Sequence, residues 1–260
     1  MNFYRQTLRS LIAAGKLDPA LSTLVIAGGD ADRQALLDSG FSNAVISNLD
    51  TRMTGNEFAP YGWKFIDGED LSVEPGEFDQ IIVHLALHHF GSPHRGLLEM
   101  YRCAGKSVLA MENRDSLTMR VAVRLGFVHI YEFHAVAGHD FQFGGHRNGP
   151  VPNAVYRWTE REVHKILLSY DPAYRIPVTF FHGLRLPYDR VQTIRHPVMR
   201  LLYRACLLPF GLFIKLFPKQ GNDLAIFIDK GARELQPWID RNTGTLTPHS
   251  WAGSGWNAVV

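Results

Sequence analysis

Short runs of apolar residues bounded by turn residues dominate the first half of the chain. Leu24-Val25-Ile26-Ala27 is apolar throughout and ends in Gly28-Gly29-Asp30, which predicts a strand buried on both faces followed by a tight turn. A short helix carrying Leu36 and Leu37 on its inner side follows, stopped at Ser39-Gly40. Ala44-Val45-Ile46-Ser47 predicts a second strand, closing in Asn48-Leu49-Asp50, and Trp63-Lys64-Phe65-Ile66 a third, closing in Asp67-Gly68-Glu69-Asp70. After the turn Glu74-Pro75-Gly76-Glu77, the run Phe78-Asp79-Gln80-Ile81-Ile82-Val83 is the clearest buried strand of the sequence. Ser92 and Pro93 suit the N-cap and first position of a helix that buries Leu97, Leu98 and Tyr101 and stops at Gly105. Ser107 to Met111 reads as the fifth strand, and Asp115 as the cap of a helix through Val121 and Leu125 to Gly126.

Strands alternating with helices require crossovers between parallel neighbours, so this half is a doubly wound α/β unit. Ligands of such sheets sit beyond the carboxyl ends of the strands. Gly28, Gly29, Asp30, Asp50, Asp67 and the segment from His84 therefore share one edge.

The second half is less regular. Residues 132–153 form a loop rich in His, Phe and Gly, and Thr159 to Glu162 fits a capping box with Trp158 and Val163 as a hydrophobic staple. The helix so opened buries Val163, Ile166, Leu167 and Tyr170, and Val178–Phe181 and Leu224–Ile228 predict two further strands. Between these, Pro197 opens an amphipathic helix with Val198, Leu201, Leu202, Ala205 and Leu208 on one face, Arg200 and Arg204 on the other, and a break or kink at Pro209. One domain is expected over 1–260: a cofactor-binding half to 130, lid and acceptor-binding elements over 131–222, a final strand over 223–230 and a tail over 231–260.

With 260 residues, 46% of them hydrophobic, the chain is long enough for one large core and too apolar for disorder. Its net charge of +2 gives no drive toward nucleic acid. Cys103 and Cys206 form no CxxC pair. The first residues lack the long apolar core of a signal peptide, so a cytoplasmic protein is expected.

Taken singly, Gly28, Gly29, Asp50 and Asp67 are ordinary turn residues. At successive strand ends they suit a nucleoside: glycines for close approach, one carboxylate for the ribose hydroxyls, another for an adenine amine. From Leu24 to Met111, extending to the final strand pair near Lys230, the chain resembles the class I S-adenosylmethionine-dependent methyltransferases. Phe78-Asp79 through Leu87-His88-His89-Phe90 is similar to the family's fourth-strand segment, Asp67-Gly68-Glu69-Asp70-Leu71 to its adenine-contacting stretch, and Asp50 falls where its ribose-binding acid sits. The first motif departs: Ile26-Ala27-Gly28-Gly29-Asp30-Ala31-Asp32-Arg33 replaces the acidic strand residue and triple glycine of the family.

The resemblance implies a Rossmann-like, mostly parallel sheet with an inserted lid and extra C-terminal helices. It implies S-adenosylmethionine as cofactor, held by Gly28, Gly29, Asp30, Arg33, Asp50, Asp67, Gly68, Glu69 and His84. Arg33 is either a forked donor to the methionine carboxylate or a solvated helix residue. His88 and His89 are the candidate bases, or else pack on adenine and cap the next helix. The expected activity is transfer of a methyl group to a small or lipid-linked acceptor, oxygen first, in glycan or specialised-metabolite synthesis. Two alternatives stand beside it: a degenerate fold kept as a scaffold, and a nicotinamide-dependent oxidoreductase, which lacks GxGxxG and a Tyr-Lys pair. His129, His134, His139 and His146 match no compact metal motif, so no metal is expected, and their loop reads as a substrate cover. Residues 197–217, with Arg185, Arg190, Arg195 and Lys219 nearby, pack on the sheet or touch a membrane surface.

Overall fold

A computed structural model describes residues 3–186 and 197–245. Arg190, Arg195 and the last fifteen residues of the expected tail (246–260) lie outside the described residues, as do the side chains of Leu202, Cys206 and Leu208.

Four strands arise where they are expected: β1 (Thr23–Ile26), β2 (Ala44–Asn48), β3 (Gly62–Phe65) and β4 (Phe78–His84). They pair in parallel with one another, β4 pairs in parallel with β5 (Ala104–Asn113), and β7 (Val178–Gly183) and β8 (Asp223–Asp229) complete a seven-stranded sheet of order β3-β2-β1-β4-β5-β8-β7. Only β8 runs against its neighbours, pairing antiparallel with both β5 and β7. The short β6 (Tyr174–Arg175) pairs with β9 (Glu234–Leu235), which ties the start of the tail to the body.

Strands buried on both faces hide their period of two in sequence, but the structure shows it. Leu24, Ile81, Val83, Val108, Ala110 and Ile226 face one core, with Leu97 and Met100 of α3 (Pro93–Cys103) and Val163 and Leu167 of α6 (Glu160–Tyr170). Val25, Ile82, Leu109, Met111, Ala225 and Phe227 face the other. That second layer is made by α2 (Asp30–Asp38) and by α1 (Phe3–Ala13), whose Tyr4, Leu8 and Leu11 are buried against the sheet. The result is a three-layer sandwich, and the chain reverses its winding between β1 and β4. The crevice between those strand ends is where such folds bind ligands.

Several local expectations are corrected. Leu37 is exposed, and the apolar residues of α2 that are buried are Ala35 and Leu36. The helix α3 stops at Cys103, because β5 starts at Ala104 to pair with Phe78. Ser116, not Asp115, caps α4 (Leu117–Arg124), accepting from the Met119 N–H, while Asp115 pairs with Arg120; Val121 and Leu125 are exposed. The capping box of α6 forms as read, whereas Tyr170 is exposed. The helix α7 (Pro197–Leu216) continues through Pro209, and Val198, Leu201 and Ala205 are exposed, so they do not form a core-facing stripe. No described helix is long and apolar enough to cross a membrane.

Candidate functional site

The backbone is strained at two strand ends. Ala27 after β1 and Leu85 after β4 have φ of 51° and 52°, a left-handed conformation that costs non-glycine residues roughly 1–3 kcal/mol and clusters at working sites. Both line a cleft of about 260 Å³ at the switch point, together with Gly28, Asp50, Met53, Ile66, Gly68, His89 and Phe90. Gly68 is required by packing: a Cβ there would lie 2.4 Å from the Phe90 ring.

At the tip of β2, Asp50 is largely buried and grips Arg52 through both carboxylate oxygens, at 2.8 and 2.6 Å. The Arg52 hydrogen bonds hold its carboxyl below the usual range. Arg52 in turn lies 4.1 Å from the Phe143 ring centroid. Asp67 accepts from the Glu69 N–H and pairs with Arg147 at 2.6 Å.

Phe143 and Arg147 belong to the His/Phe/Gly-rich loop, the cover, part of which lines the cleft. It runs from α5 (Phe133–Ala137) through a single turn of 3-10 helix at His146–Asn148. Gly144, Gly145, Arg147 and Asn148 form the outer wall of the cleft, and the Asn148 amide donates to the Leu49 carbonyl at 3.4 Å. Only glycine fits at 145, where a Cβ would lie 2.1 Å from the Val151 carbonyl oxygen. The outer contact is a half-exposed ion pair, which contributes little to global stability. Arg147→Ala is therefore expected to leave the melting temperature nearly unchanged while loosening the cover. Limited chymotrypsin digestion should cut at Phe141 or Phe143 several-fold faster, and an unchanged rate would show that the loop is held elsewhere.

The remaining candidates take other places. Gly29 caps α2 and donates its N–H to Asp32 at 2.9 Å. Asp30 is solvated and pairs with Arg33, which also donates to the Ala59 carbonyl, so neither lines the cleft. Glu69 is buried and accepts the Gly91 and Ser92 N–H groups at 2.8 and 2.7 Å; it holds the start of α3 instead of facing a ligand.

His88 also departs from its expected role. It is buried, with Nδ1 2.7 Å from Glu112 and Nε2 3.2 Å from Glu132. Burial alone would lower its pKa, but the two carboxylates raise it to about 10, so it is no free neutral base. His89 reaches the cleft; burial and the neighbouring His88 lower its pKa. Glu112 and Glu132 carry no motif and were not singled out as site residues from sequence, because their partners lie 24 to 44 positions away.

A larger groove of about 1160 Å³ opens on the far side of β4, between α1, β7 and α7. His84 and Leu85 line both cavities. His84 stacks on Tyr4 at 4.1 Å, with its Nδ1 3.6 Å from Asp32.

No protein-family model and no curated protein matches the chain. Solved structures do. A candidate methyltransferase from Bacillus halodurans is 17% identical with a TM-score of 0.50, the match covering 86% of this chain and 99% of that one. The match from a Haloferax volcanii complex of the Trm112 methyltransferase activator with a candidate methyltransferase is 12% identical with a TM-score of 0.52, covering 86% and 89%. A SAM-dependent methyltransferase from Archaeoglobus fulgidus is 12% identical with a TM-score of 0.50, covering 87% and 94%. These likenesses are of fold: the chain has the Rossmann-like class I methyltransferase fold, strand order and antiparallel β8 included.

Proposed function

We propose that the chain transfers the methyl group of S-adenosylmethionine to a small or medium-sized acceptor, with an oxygen nucleophile first in order. The observation that carries this reading is the shared wall: a nucleoside-sized crevice at the switch point meets a wider groove at His84 and Leu85. The residues present suit the cofactor. Asp50 stands where a carboxylate can take both ribose hydroxyls, Met53, Ile66 and Phe90 give apolar walls for a purine, and the turned backbone at Ala27 and Gly28 admits close approach. Asp67 is not itself in the cleft wall, but its neighbours Ile66 and Gly68 are, and it would accept from an adenine amine once Arg147 releases it.

When bound, the sulfonium supplies an already activated methyl group, so the protein's work is alignment, worth up to about 7–11 kcal/mol of barrier. His84 suits the acceptor side better than His88. Its Nδ1 is turned to Asp32, leaving Nε2 to take a proton from an acceptor hydroxyl in the groove. Closed over a bound cofactor, the loop would exclude water from the cleft. Neither alternative reading gains support; the antiparallel β8 is foreign to a dinucleotide sheet. The exposed apolar residues Val198, Leu201, Leu212, Leu216 and Phe217 support contact of α7 and its end with a membrane surface, as a lipid-linked acceptor would require.

Asp50→Ala is expected to weaken binding of S-adenosylhomocysteine by about 1–3 kcal/mol, the cost of leaving the ribose hydroxyls unpaired. Calorimetric titration checks this; unchanged affinity removes Asp50 from the site, and no binding by the parent chain removes the whole reading.

A further inference from the structure

We propose that His88, His89 and Glu132 bind a divalent first-row transition-metal ion where the cover meets the turn behind β4. The histidines lie in the 3-10 turn Leu87–His89, and Glu132 is the residue that caps α5 at the start of the cover. One carboxylate oxygen, Glu132 Oε2, stands 3.2 Å from His88 Nε2 and 3.4 Å from His89 Nε2, and all three ligand atoms fall within 4.8 Å of one another. Metal–nitrogen and metal–oxygen bonds of about 2.0–2.2 Å put neighbouring ligand atoms about 3.0–3.5 Å apart, so an ion fits among the three with little movement.

The surroundings aim the rings. Nδ1 of His88 faces Glu112 Oε2 at 2.7 Å, and the other oxygen of Glu112 is fixed by the Ala86 and Leu87 N–H groups. Nδ1 of His89 faces the Gly145 carbonyl at 3.3 Å. Each ring thus has an acceptor at Nδ1, which turns Nε2 inward; carboxylate and carbonyl partners of this kind accompany metal-bound histidines. The Asn153 amide, 3.5 Å from Glu132 Oε2 and 3.1 Å from the His88 carbonyl, steadies the third ligand.

Two imidazoles and one carboxylate favour zinc, iron, manganese, cobalt or nickel over magnesium or calcium, which prefer all-oxygen sites. A proton on His88 Nε2 and the ion compete for the same position. Three protein ligands leave further coordination positions, and His89 brings the ion to the edge of the cleft. The loop histidines considered from sequence do not take part: among the described residues no other trio gathers its ligand atoms in this way. The ion would tie the cover to the sheet whatever reaction the cleft performs.

The test is titration of chelator-treated full chain with Zn2+ by calorimetry and with Co2+ by visible absorption. One ion per chain is expected, with the intense bands of low-coordinate nitrogen–oxygen Co2+. Glu132→Gln and His89→Ala change partly exposed side chains, and each should weaken uptake by about 100-fold or more, with circular dichroism confirming that they fold. His134→Ala should bind as the parent does. No stoichiometric uptake by the parent chain, or uptake unchanged in both variants, overturns the site. Anomalous scattering at the metal edge from crystals of the parent chain is a second arm that needs no variant; a peak away from these three residues overturns it equally.

Discussion

Glu112→Ala is expected to lower the unfolding free energy by about 3–5 kcal/mol, a loss of the size found when one partner of a buried ionic network is removed. Glu112 is the penultimate residue of β5 and is 1% exposed. Its carboxylate accepts from the Ala86 and Leu87 N–H groups at 2.8 and 2.7 Å and holds His88 Nδ1 at 2.7 Å. Alanine removes the acceptor of all three donors at a position that is 1% exposed. It also releases the left-handed Leu85, whose strained conformation is maintained by the hydrogen bonds on either side of it: its own N–H to Met111, and the next two to Glu112. Thermal melting gives the measurement, at roughly 2–4 °C per kcal/mol for a chain of this size. Glu112→Gln should fall between the two, since its amide oxygen still serves backbone donors while its NH2 meets another donor. A melting temperature of Glu112→Ala equal to the parent's would show that the turn behind β4 is held by its own sequence.

That network also marks where sequence reading stops. Strands β1, β2, β4 and β5 are legible because short apolar runs bounded by turn or polar residues have few other uses. The crevice at their tips followed from the parallel crossovers, without any contact being known. What one residue's neighbours do was not legible. Glu69 and Asp67 stand two apart in one acidic stretch, yet Glu69 is buried against the start of α3 with Arg147 at 3.4 Å, and the less buried Asp67 takes the closer Arg147 contact at 2.6 Å. The pair His88-His89 divides in the same way, since one ring lies under Glu112 and the next reaches the cleft. Only the fold brings Glu112 and Glu132 to them. The first helix is not legible for another reason: α1 carries no acidic first turn and no basic last turn, and its burial comes from the sheet it lies on. On α7 the apolar stripe was visible in sequence, but periodicity cannot say whether a stripe finds a partner, and here much of it stays exposed.

Trp158→Ala is expected to cost a similar 3–5 kcal/mol, by a different route. Its side chain is fully buried, packed edge-on against His94 and Tyr156 at 5.2 and 5.3 Å between ring centroids, within the core that also holds Val163 and Leu167. The indole N–H has no hydrogen-bond partner, so the loss is one of packing alone. How far the cavity can close decides the size of the effect. Here the backbone cannot follow: Trp158 donates its N–H to Asn113 at 2.8 Å and accepts from Asp115 at 2.9 Å, while Thr159 is committed as the cap of α6. The hole therefore stays open, which places the substitution at the upper end of large-to-small changes, and Trp158→Phe, which refills most of the volume, should recover more than half of the loss. Because residue 158 closes the segment that returns from the cover, Trp158→Ala should also speed chymotrypsin cleavage of the cover, whereas Trp158→Phe should not. A loss below about 1 kcal/mol would mean that neighbouring side chains collapse into the space, and the rigid anchor assigned to the end of the cover would have to be sought elsewhere.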